Sequence, residues 1–355
     1  MYETFRIGDM LVCRWQEGTV ATIKDVAKRA GVAISTVSAV LNRSAPVSEE
    51  TIARVEAAVA AIGYMPHGAA QSLRSGRSRM IGLILPDITN PHFANVARVV
   101  ESACLDAGYM AAIYSTSEDF DRERQILKMM RAQRVAGLII IPTRSDPEQG
   151  AQLRAEIHVP TVLLDSFVEG LPFDVIKLDN VLAGRIATDY LIGMGHRRIG
   201  VTTGRDNIRT GEDRLAGYVE AHRAQGLAVA PDLLLPGRFD RDIAYRSTLE
   251  RMRAADRPTA IFALSNMMML GVLNALSDMG ARVPEDVSVA SIDDFDFANI
   301  LNPPPTVVAA PIAGMAQRAI TTLLDEIETG RLPSGRTTLY EPTLIVRQSV
   351  RRVAG

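Results

Sequence analysis

Apolar residues near the start of the chain recur with the spacing of short helices. One helical face is formed by Ile23, Val26, Ala27 and Ala30. Their spacing predicts an amphipathic helix that ends at Gly31. Two further helices are predicted over residues 34–42 and 48–62. Short helices joined by a tight turn with glycine are typical of a helix-turn-helix, although a three-helix structural mini-domain would give the same pattern.

From residue 80 onward, apolar runs alternate with amphipathic segments. Strands are predicted at Ile81–Leu85, Ala111–Tyr114, Gly137–Ile141, Thr161–Leu164, Asp174–Leu178, Ile199–Thr202, Ala260–Ala263 and Val287–Ile292. Strands that alternate with helices indicate parallel sheets covered on both faces. There are more strands than one such sheet needs. We therefore expect a small all-α helix-turn-helix head and an α/β body of two doubly wound parallel-sheet subdomains.

The pattern also predicts the domain boundaries. Residues 1–18 show no clear period and are expected to be a disordered leader or an over-extended start. The head covers 19–66, a hinge helix or linker 67–78, and the body 79–355. Lobe 1 of the body is expected at about 79–179 and 310–337, and lobe 2 at about 180–309 and 338–355. No leucine heptad follows the last predicted strand, which favours a dimer over a tetramer.

The net charge of −2 conceals an asymmetry between head and body. Residues 19–79 carry eight lysine and arginine residues against four carboxylates, whereas residues 80–355 carry a net charge of −5. A basic head indicates a polyanionic partner, although a solvated charged face would explain the charge equally well. The short apolar runs, the missing apolar leader and two cysteines without metal or redox spacing predict a cytoplasmic protein.

Polar side chains follow most of the predicted body strands. They are Asp87, Asn90, Ser115, Thr143, Arg144, Asp165, Ser166, Asp179, Asn180, Ser265, Asn266, Asp293 and Asp294, with Phe93 nearby. Doubly wound sheets bind ligands outside the carboxyl ends of their strands, so these residues predict a ligand crevice, although any one of them alone is more often a cap. We find no nucleotide, nucleophile or metal-ligand motif, and therefore expect no cofactor, no metal and no enzymatic activity.

Several segments resemble the LacI/GalR family of ligand-responsive transcriptional regulators. They are Thr22–Val32, Ser35–Asn42, Val47–Thr51 and Ile62–Pro66 in the head, and Ile81–Pro86, Gly195–Gly200, Arg214–Tyr218 and Pro284–Val289 in the body. The resemblance implies a periplasmic-binding-protein-like body and a homodimeric repressor of a pseudo-palindromic DNA operator. A periplasmic-type sugar-binding protein would share the body, but the basic head and the missing signal peptide argue against it.

The second helix of a helix-turn-helix presents its first residues to base edges, and the resemblance adds a hinge helix with a leucine that enters the minor groove. The predicted DNA-binding residues are Thr22, Ile34, Ser35, Thr36, Ser38, Ala39, Asn42, Leu73 and Arg74. Ser38 is expected to contact phosphate. Ala33 stands where the family commonly has a serine N-cap, and Gly68 and Gln71 replace the usual hinge alanine and arginine. We therefore expect a weaker second helix and a hinge that orders less readily.

The resemblance and the strand ends together predict the effector site. Its residues are Phe93, Asp165, Thr210, Arg214, Phe239, Ser265, Asn266 and Asp293. Arg214 and Asp293 suit a hydroxyl-rich ligand, because each can form two hydrogen bonds. A sugar is predicted, with a sugar acid second; a nucleobase is disfavoured by Ile208, where purine-sensing relatives carry a charged donor. Arg144, Arg205 and Arg209 would favour the acid if they reached the cleft, but they could equally be solvated.

The hinge prediction can be tested by replacing Leu73 with alanine. Leu73→Ala should weaken binding to a specific operator far more than binding to random DNA, because an apolar wedge acts only on bent DNA. Gel-shift titrations with both duplexes measure the two affinities. Equal loss on both would contradict the wedge.

Overall fold

The computed structural model describes residues 2–7, 10–15, 21–42, 44–64 and 78–353. The chain divides after Ser78 into two compact units, and each is described by itself. The first unit contains the head, whose helices are α1 (Ile23–Ala30), α2 (Ile34–Asn42) and α3 (Glu49–Ile62). These bounds agree with the three predicted helices. The predicted hinge residues Leu73 and Arg74 lie outside the described residues.

The turn of the helix-turn-helix is held from both sides. Gly31 ends α1 in the left-handed region at φ 63°, where glycine is unstrained. The Arg54 guanidinium on α3 donates to the carbonyl oxygen of Ala30, with Nη2 at 2.6 Å. Beneath the turn, Val26, Val37 and Val55 are fully buried. Arg54 is one of the basic residues of the head, and its guanidinium caps the carboxyl end of α1.

A β-hairpin precedes the head, where the sequence predicted a disordered leader. Strand β1 (Tyr2–Ile7) pairs antiparallel with β2 (Met10–Trp15), and Tyr2 lies opposite Trp15. Gly8-Asp9 is a two-residue sequence that commonly joins hairpin strands. The hairpin was not predicted because residues 1–18 show no longer-range periodicity.

Lobe 1 of the body is built on a six-stranded parallel sheet. Its order is β4-β3-β5-β6-β7-β13. The strands are β3 (Met80–Leu85), β4 (Met110–Ser115), β5 (Gly137–Ile140), β6 (Thr161–Leu164), β7 (Asp174–Leu178) and β13 (Thr337–Tyr340). Helices α4 (Pro91–Asp106) and α11 (Ile312–Thr329) pack on one face, and α5 (Phe120–Ala132) and α6 (Pro147–Glu156) on the other. The central strands β3, β5, β6 and β7 are mostly buried, as parallel sheets covered on both faces require, whereas the edge strands β4 and β13 are partly exposed.

Lobe 2 has a second six-stranded sheet, in the order β9-β8-β10-β11-β12-β14. The strands are β8 (Ile199–Thr203), β9 (Leu234–Pro236), β10 (Ala260–Ala263), β11 (Ser288–Ile292), β12 (Thr306–Ala309) and β14 (Thr343–Ile345), and only β14 runs antiparallel among them. Its helices are α7 (Asn180–Gly193), α8 (Arg209–Ala224), α9 (Arg241–Met252) and α10 (Asn266–Asp278). Two doubly wound sheets were predicted, and the prediction is confirmed.

The chain passes between the two sheets three times. It leaves lobe 1 between β7 and α7, returns between β12 and α11, and crosses again between β13 and β14. Three adjacent connections allow the lobes to move about one hinge. The carboxyl ends of the parallel strands of both lobes lie along the cleft between them.

Helices α7 and α8 approach each other so closely that only glycine fits at the crossing. A Cβ atom on Gly217 would lie 2.0 Å from the carbonyl oxygen of Val181, and one on Gly184 would lie 2.0 Å from that of Arg214. Backbone atoms cannot yield as a flexible side chain can. The close crossing therefore fixes the position of the Arg214 backbone relative to α7.

A carboxyl group is buried where α11 packs on the lobe 1 sheet. Glu326 on α11 is fully buried, and neither of its carboxylate oxygens has a hydrogen-bond partner. Burial, followed by the charge of Asp174, raises the pKa of Glu326 from 4.5 to about 7. The folded protein therefore favours the protonated form of Glu326.

Replacing Gly217 with alanine should destabilise the body. We expect a loss of about 3 kcal/mol of unfolding free energy, since the added methyl group meets backbone. Gly193→Ala in α7 is the control, because nothing lies within 4 Å of its Cβ position. Urea unfolding measures both variants. Equal stability of the two would contradict the close crossing.

Glu326 should make stability depend on pH. Because its folded pKa is raised, the stability linked to its neutral form is fully present below about pH 4.5 and is lost as pH rises through 7. Glu326→Gln should therefore stabilise the protein at about pH 8 by roughly 2 kcal/mol and have little effect at about pH 5. Urea unfolding at both pH values tests this, and a pH-independent effect would argue against it.

Candidate functional site

The start of α2 forms the exposed face of the head. Ile34 is 44% exposed, and Ser35 is also exposed. Thr36 and Ala39 are half-buried on the same helix, while Val37 points into the core. Thr22 lies exposed at the N-terminus of α1, where its backbone N–H and hydroxyl both donate to the carboxylate of Asp25. The face that would enter a DNA groove is therefore available.

Ser38 differs from the other predicted DNA-binding residues. It is only 5% exposed, because it follows the buried Val37 on the inward side of α2. The predicted phosphate contact is therefore not supported by its burial. Asn42 ends α2, and its side chain lies outside the described part of the structure.

A cavity lies between the two lobes at the ends of the strands, with about 70 Å³ open to the centre of a water-sized sphere. Clefts between domains or lobes are common ligand sites. Its wall contains seven of the eight predicted effector residues: Phe93, Asp165, Thr210, Arg214, Phe239, Ser265 and Asp293. Asn90, Thr143 and Ser166, which the strand ends placed in the crevice, also line it, as do Arg205 and Ile208. The sequence did not assign the remaining lining residues, which are Pro86, His92, Glu118, Ile141 and Pro142.

Arg214 is the central polar group of the lobe 2 wall. It is 3% exposed, and its Nε donates to Oδ1 of Asn180 at 2.9 Å. Nη1 donates to the carbonyl oxygen of Leu264 at 2.6 Å and to Oδ2 of Asp293 at 3.1 Å. Nη2 lies 3.4 Å from the other Asp293 oxygen. A bidentate pair of this kind orients both side chains.

Two acidic residues face the cavity from corresponding positions in the two lobes. Asp165 follows β6 and Asp293 follows β11, and both have a positive φ, of 65° and 72°. Each is buried, at 7% and 5% exposure. Burial raises the pKa of Asp165, but the charges of His92, Arg214 and Lys177 lower it by more than burial raises it. The pKa of Asp165 is therefore below its usual value, and the carboxylate form is favoured.

His92 lies between these carboxylates. It is the second residue of α4 and is 5% exposed. Its Nε2 is 3.5 Å from Oδ1 of Asp165, and its Nδ1 is 3.6 Å from Oδ1 of Asp293. Burial lowers the pKa of His92, but the two carboxylates outweigh burial and raise it above 6.5. The sequence signal was weak, since a histidine after Asn90-Pro91 resembles an ordinary first-turn residue.

Aromatic side chains cover the apolar part of the cavity. Phe93 meets the His92 ring edge to face, with centroids 5.1 Å apart. Phe239 has a positive φ of 57°, and its ring lies against Gly204 and Gly211, whose added Cβ atoms would be 2.9 and 3.2 Å from it. Such rings can stack on the apolar face of a ligand.

Asn266 was predicted to line the effector site, but it does not. It is 1% exposed, and its Nδ2 donates to Oδ1 of Asn90 at 2.9 Å. Its own Oδ1 accepts from the backbone of Met267. Because Asn90 belongs to lobe 1, Asn266 joins the lobes instead. The backbone N–H of Ser145 also donates across the cleft, to the carbonyl oxygen of Asn207 at 2.7 Å.

Two of the four arginines considered for the cleft reach the cavity. Arg205 and Arg214 line the cavity, whereas Arg144 and Arg209 do not. Arg144 pairs with Asp146 and Glu148, and Arg209 with Glu169, Glu212 and Asp213. Arg205 is itself paired with Glu118. No concentration of unpaired guanidinium groups therefore faces the cavity among the described residues.

Other kinds of site were searched for in the same residues. No cluster of three or more histidine, cysteine or acidic side chains that could hold a metal ion occurs within the described ranges. In that part of the chain, no helix is both long and apolar enough to cross a membrane.

Comparison with known proteins places both units. Residues 22–67 match the lacI family of bacterial regulatory proteins, and residues 188–350 match a periplasmic binding protein-like domain. The HTH-type transcriptional repressor PurR of Pectobacterium carotovorum subsp. carotovorum (strain PC1) is 34% identical over 332 residues, which are 93% of this chain and 97% of that protein. The PurR of Photobacterium profundum is 32% identical over 94% of this chain and 99% of its own.

Solved structures give the same result. The transcriptional regulator CelR in complex with cellobiose is 29% identical, with a TM-score of 0.70, over 93% of this chain and 99% of its own. The lac repressor dimer bound to operator and the anti-inducer ONPF shares the fold, with a TM-score of 0.83, 24% identity and the same two coverages. The predicted family, fold class and role as a regulator rather than an enzyme are confirmed. This chain belongs to the lacI family of bacterial regulatory proteins.

Proposed function

We propose that this protein is a cytoplasmic transcriptional repressor that binds a pseudo-palindromic DNA operator as a homodimer and responds to a neutral sugar. The observation that carries the proposal is the inter-lobe cavity, in which aromatic rings and charge-balanced polar groups converge. The exposed start of α2 supplies the DNA-binding face. Cytoplasmic location follows from the DNA partner.

The charge balance of the cavity favours a neutral ligand. Its cations are Arg205, Arg214 and His92, and its carboxylates are Glu118, Asp165 and Asp293. Each arginine is already paired with a carboxylate, so a ligand carboxylate would displace one of these groups. Hydroxyl groups can donate to the carboxylates and accept from the cations. This supports the sugar over the sugar acid, while the rings of Phe93 and Phe239 would cover apolar ligand faces.

The proposed mechanism is a change in lobe closure. In the structure the lobes are joined by hydrogen bonds from Asn266 to Asn90 and from Ser145 to Asn207. A sugar that bridges Asp165 of lobe 1 and Asp293 of lobe 2 would stabilise closure. Closure would alter the spacing of the two heads in a dimer and hence the operator affinity.

DNA binding is tested by selecting duplexes from a random pool with the full-length protein. We expect a pseudo-palindrome to be enriched, and its affinity to fall with salt by a log–log slope of about 0.9 for each phosphate contacted. Four sugars, D-ribose, D-glucose, D-galactose and cellobiose, are then screened by thermal shift, together with their sugar acids. A binding sugar should change operator affinity, and tenfold tighter binding of the matching acid, about 1.4 kcal/mol, would overturn the neutral-ligand assignment.

Asp293→Asn tests the cavity with the same sugar. The variant should lower sugar affinity at least tenfold, or about 1.4 kcal/mol, because the amide loses one acceptor, while sugar-free operator affinity stays within twofold. Asp294→Asn is the matched control, since Asp294 pairs with Arg347 outside this cavity. Calorimetry and gel shifts measure both effects. An unchanged sugar response in Asp293→Asn would contradict the assignment of the sugar site to this cavity.

A further inference from the structure

The imidazole of His92 contacts residues of both lobes at the back of the effector cavity. It belongs to lobe 1, as does Asp165, whereas Asp293 belongs to lobe 2. Both ring nitrogens therefore face a carboxylate, and each carboxylate is carried by a different lobe. Within the described part of the chain, His92 is the only histidine with a ring nitrogen within 4 Å of a carboxylate oxygen.

The distances from the His92 ring nitrogens to the two carboxylates are too long for full hydrogen bonds. Distances of 3.5 and 3.6 Å are longer than the 2.7–3.2 Å that is usual for nitrogen–oxygen hydrogen bonds. Nδ1 of His92 and Oδ1 of Asp165 are buried without a hydrogen-bond partner. An unpaired buried polar atom is unfavourable, so each of these atoms can gain from a ligand group. A ligand hydroxyl beside the pair could accept from the imidazole and donate to the carboxylate at the same time.

The charged surroundings can be followed element by element. Asp165 lies at the end of β6 and Asp293 at the end of β11, and Arg214 of α8 pairs with Asp293. Lys177 of β7 also acts on Asp165, but its charge is balanced by a salt bridge with Asp213 at 3.3 Å. Of the other charged groups that line the cavities beside His92, Arg205 pairs with Glu118 and Arg347 with Asp294, while Asp296 is exposed to solvent.

These charges balance only when His92 is protonated. Asp165 and Asp293 contribute two negative charges, and Arg214 contributes one positive charge. Protonation of His92 adds the second positive charge, whereas a neutral ring leaves one uncompensated negative charge in a buried place. A neutral imidazole would also turn the lone pair of one ring nitrogen toward a carboxylate.

We propose that the effector is bound together with one proton, which His92 holds between the carboxylates of the two lobes. The inference rests on the proposed effector function of this cavity and names a further residue that binds the effector. When the lobes separate, Asp293 moves away from His92 and the ring loses one of its two negative neighbours. Lobe closure therefore takes up a proton at pH values between the pKa of His92 in the open form and its raised pKa in the closed form.

The pH dependence of effector binding has a definite sign. Since the pKa of His92 is raised in the closed form, its contribution to closure is fully present at low pH and is lost as pH rises through that pKa. Effector affinity should be level below the pKa of His92 in the open form. It should fall between that pKa and the higher pKa of the closed form, by up to tenfold for each pH unit, the limit for one proton.

The first experiment observes the proton directly in the full-length protein. Histidine labelled with ¹³C at Cε1 is titrated by NMR from about pH 5.5 to about pH 9, and His92→Gln identifies its resonance among the five histidines. We expect His92 to titrate above 6.5, and to titrate lower in Asp165→Asn and in Asp293→Asn. A midpoint at or below 6.5 that neither variant moves overturns the proposal.

The second experiment measures proton-linked binding by calorimetry. The sugar that gives the largest thermal shift among D-ribose, D-glucose, D-galactose and cellobiose is titrated in two buffers of different ionisation enthalpy. We expect proton uptake and a pH-dependent Kd in the wild type. His92→Gln should lose both, whereas His158→Gln, the exposed histidine of lobe 1, should keep both.

His92→Phe separates the proton from the packing of the ring. It should retain the edge contact with Phe93 but lose most of the sugar affinity. A sugar that binds equally at all pH values overturns the inference while leaving the proposed function intact. If none of the four sugars binds, the sugar assignment fails, and the titration of His92 with its two asparagine variants alone decides whether the ring holds the proton.

Discussion

The ligand cavity depends on the guanidinium of Arg214, a cation buried inside lobe 2. It is satisfied by Asn180 on α7, by the carbonyl oxygen after β10 and by Asp293 after β11. A buried charge that lost one of these partners would be strongly unfavourable. The three elements are therefore held in one arrangement, and the glycine crossing at Gly184 sets the position of the helix from which Arg214 extends. The rest of the wall is placed relative to this group.

Much of this arrangement could be predicted from the sequence because it depends on local patterns. The strands were located by their buried apolar runs, and parallel strands bring their carboxyl ends to one edge. That rule, together with the family resemblance, predicted the residues that meet in the cavity. They are Phe93, Asp165, Thr210, Arg214, Phe239, Ser265 and Asp293. The crossings between the sheets were likewise expected, since each follows from where an apolar run ends.

The surroundings of three residues could not be predicted, because they depend on contacts between distant parts of the chain. Asn266 lies at a strand end, but whether it faces a ligand or Asn90 depends on lobe closure. His92 acquires its importance only from Asp165 and Asp293, which are far from it in sequence. Ser38 is buried because α2 is rotated so that its core face includes more than Val37. Neither the periodicity nor the spacing of residues along the chain predicts these contacts.

The two lobes use the same backbone device to present their carboxylates. Asp165 donates its N–H to Ile176 on the next strand, and Asp293 does the same to Val308, so each continues its sheet by one residue. Each then adopts a left-handed conformation, which costs about 1 kcal/mol or more for a residue other than glycine. The two carboxylates lie on opposite sides of His92, where their mutual repulsion would be unfavourable without a donor between them. In the proposed mechanism the protonated imidazole supplies that donor, and a ligand hydroxyl beside it would add a second, so that closure would respond to the ligand.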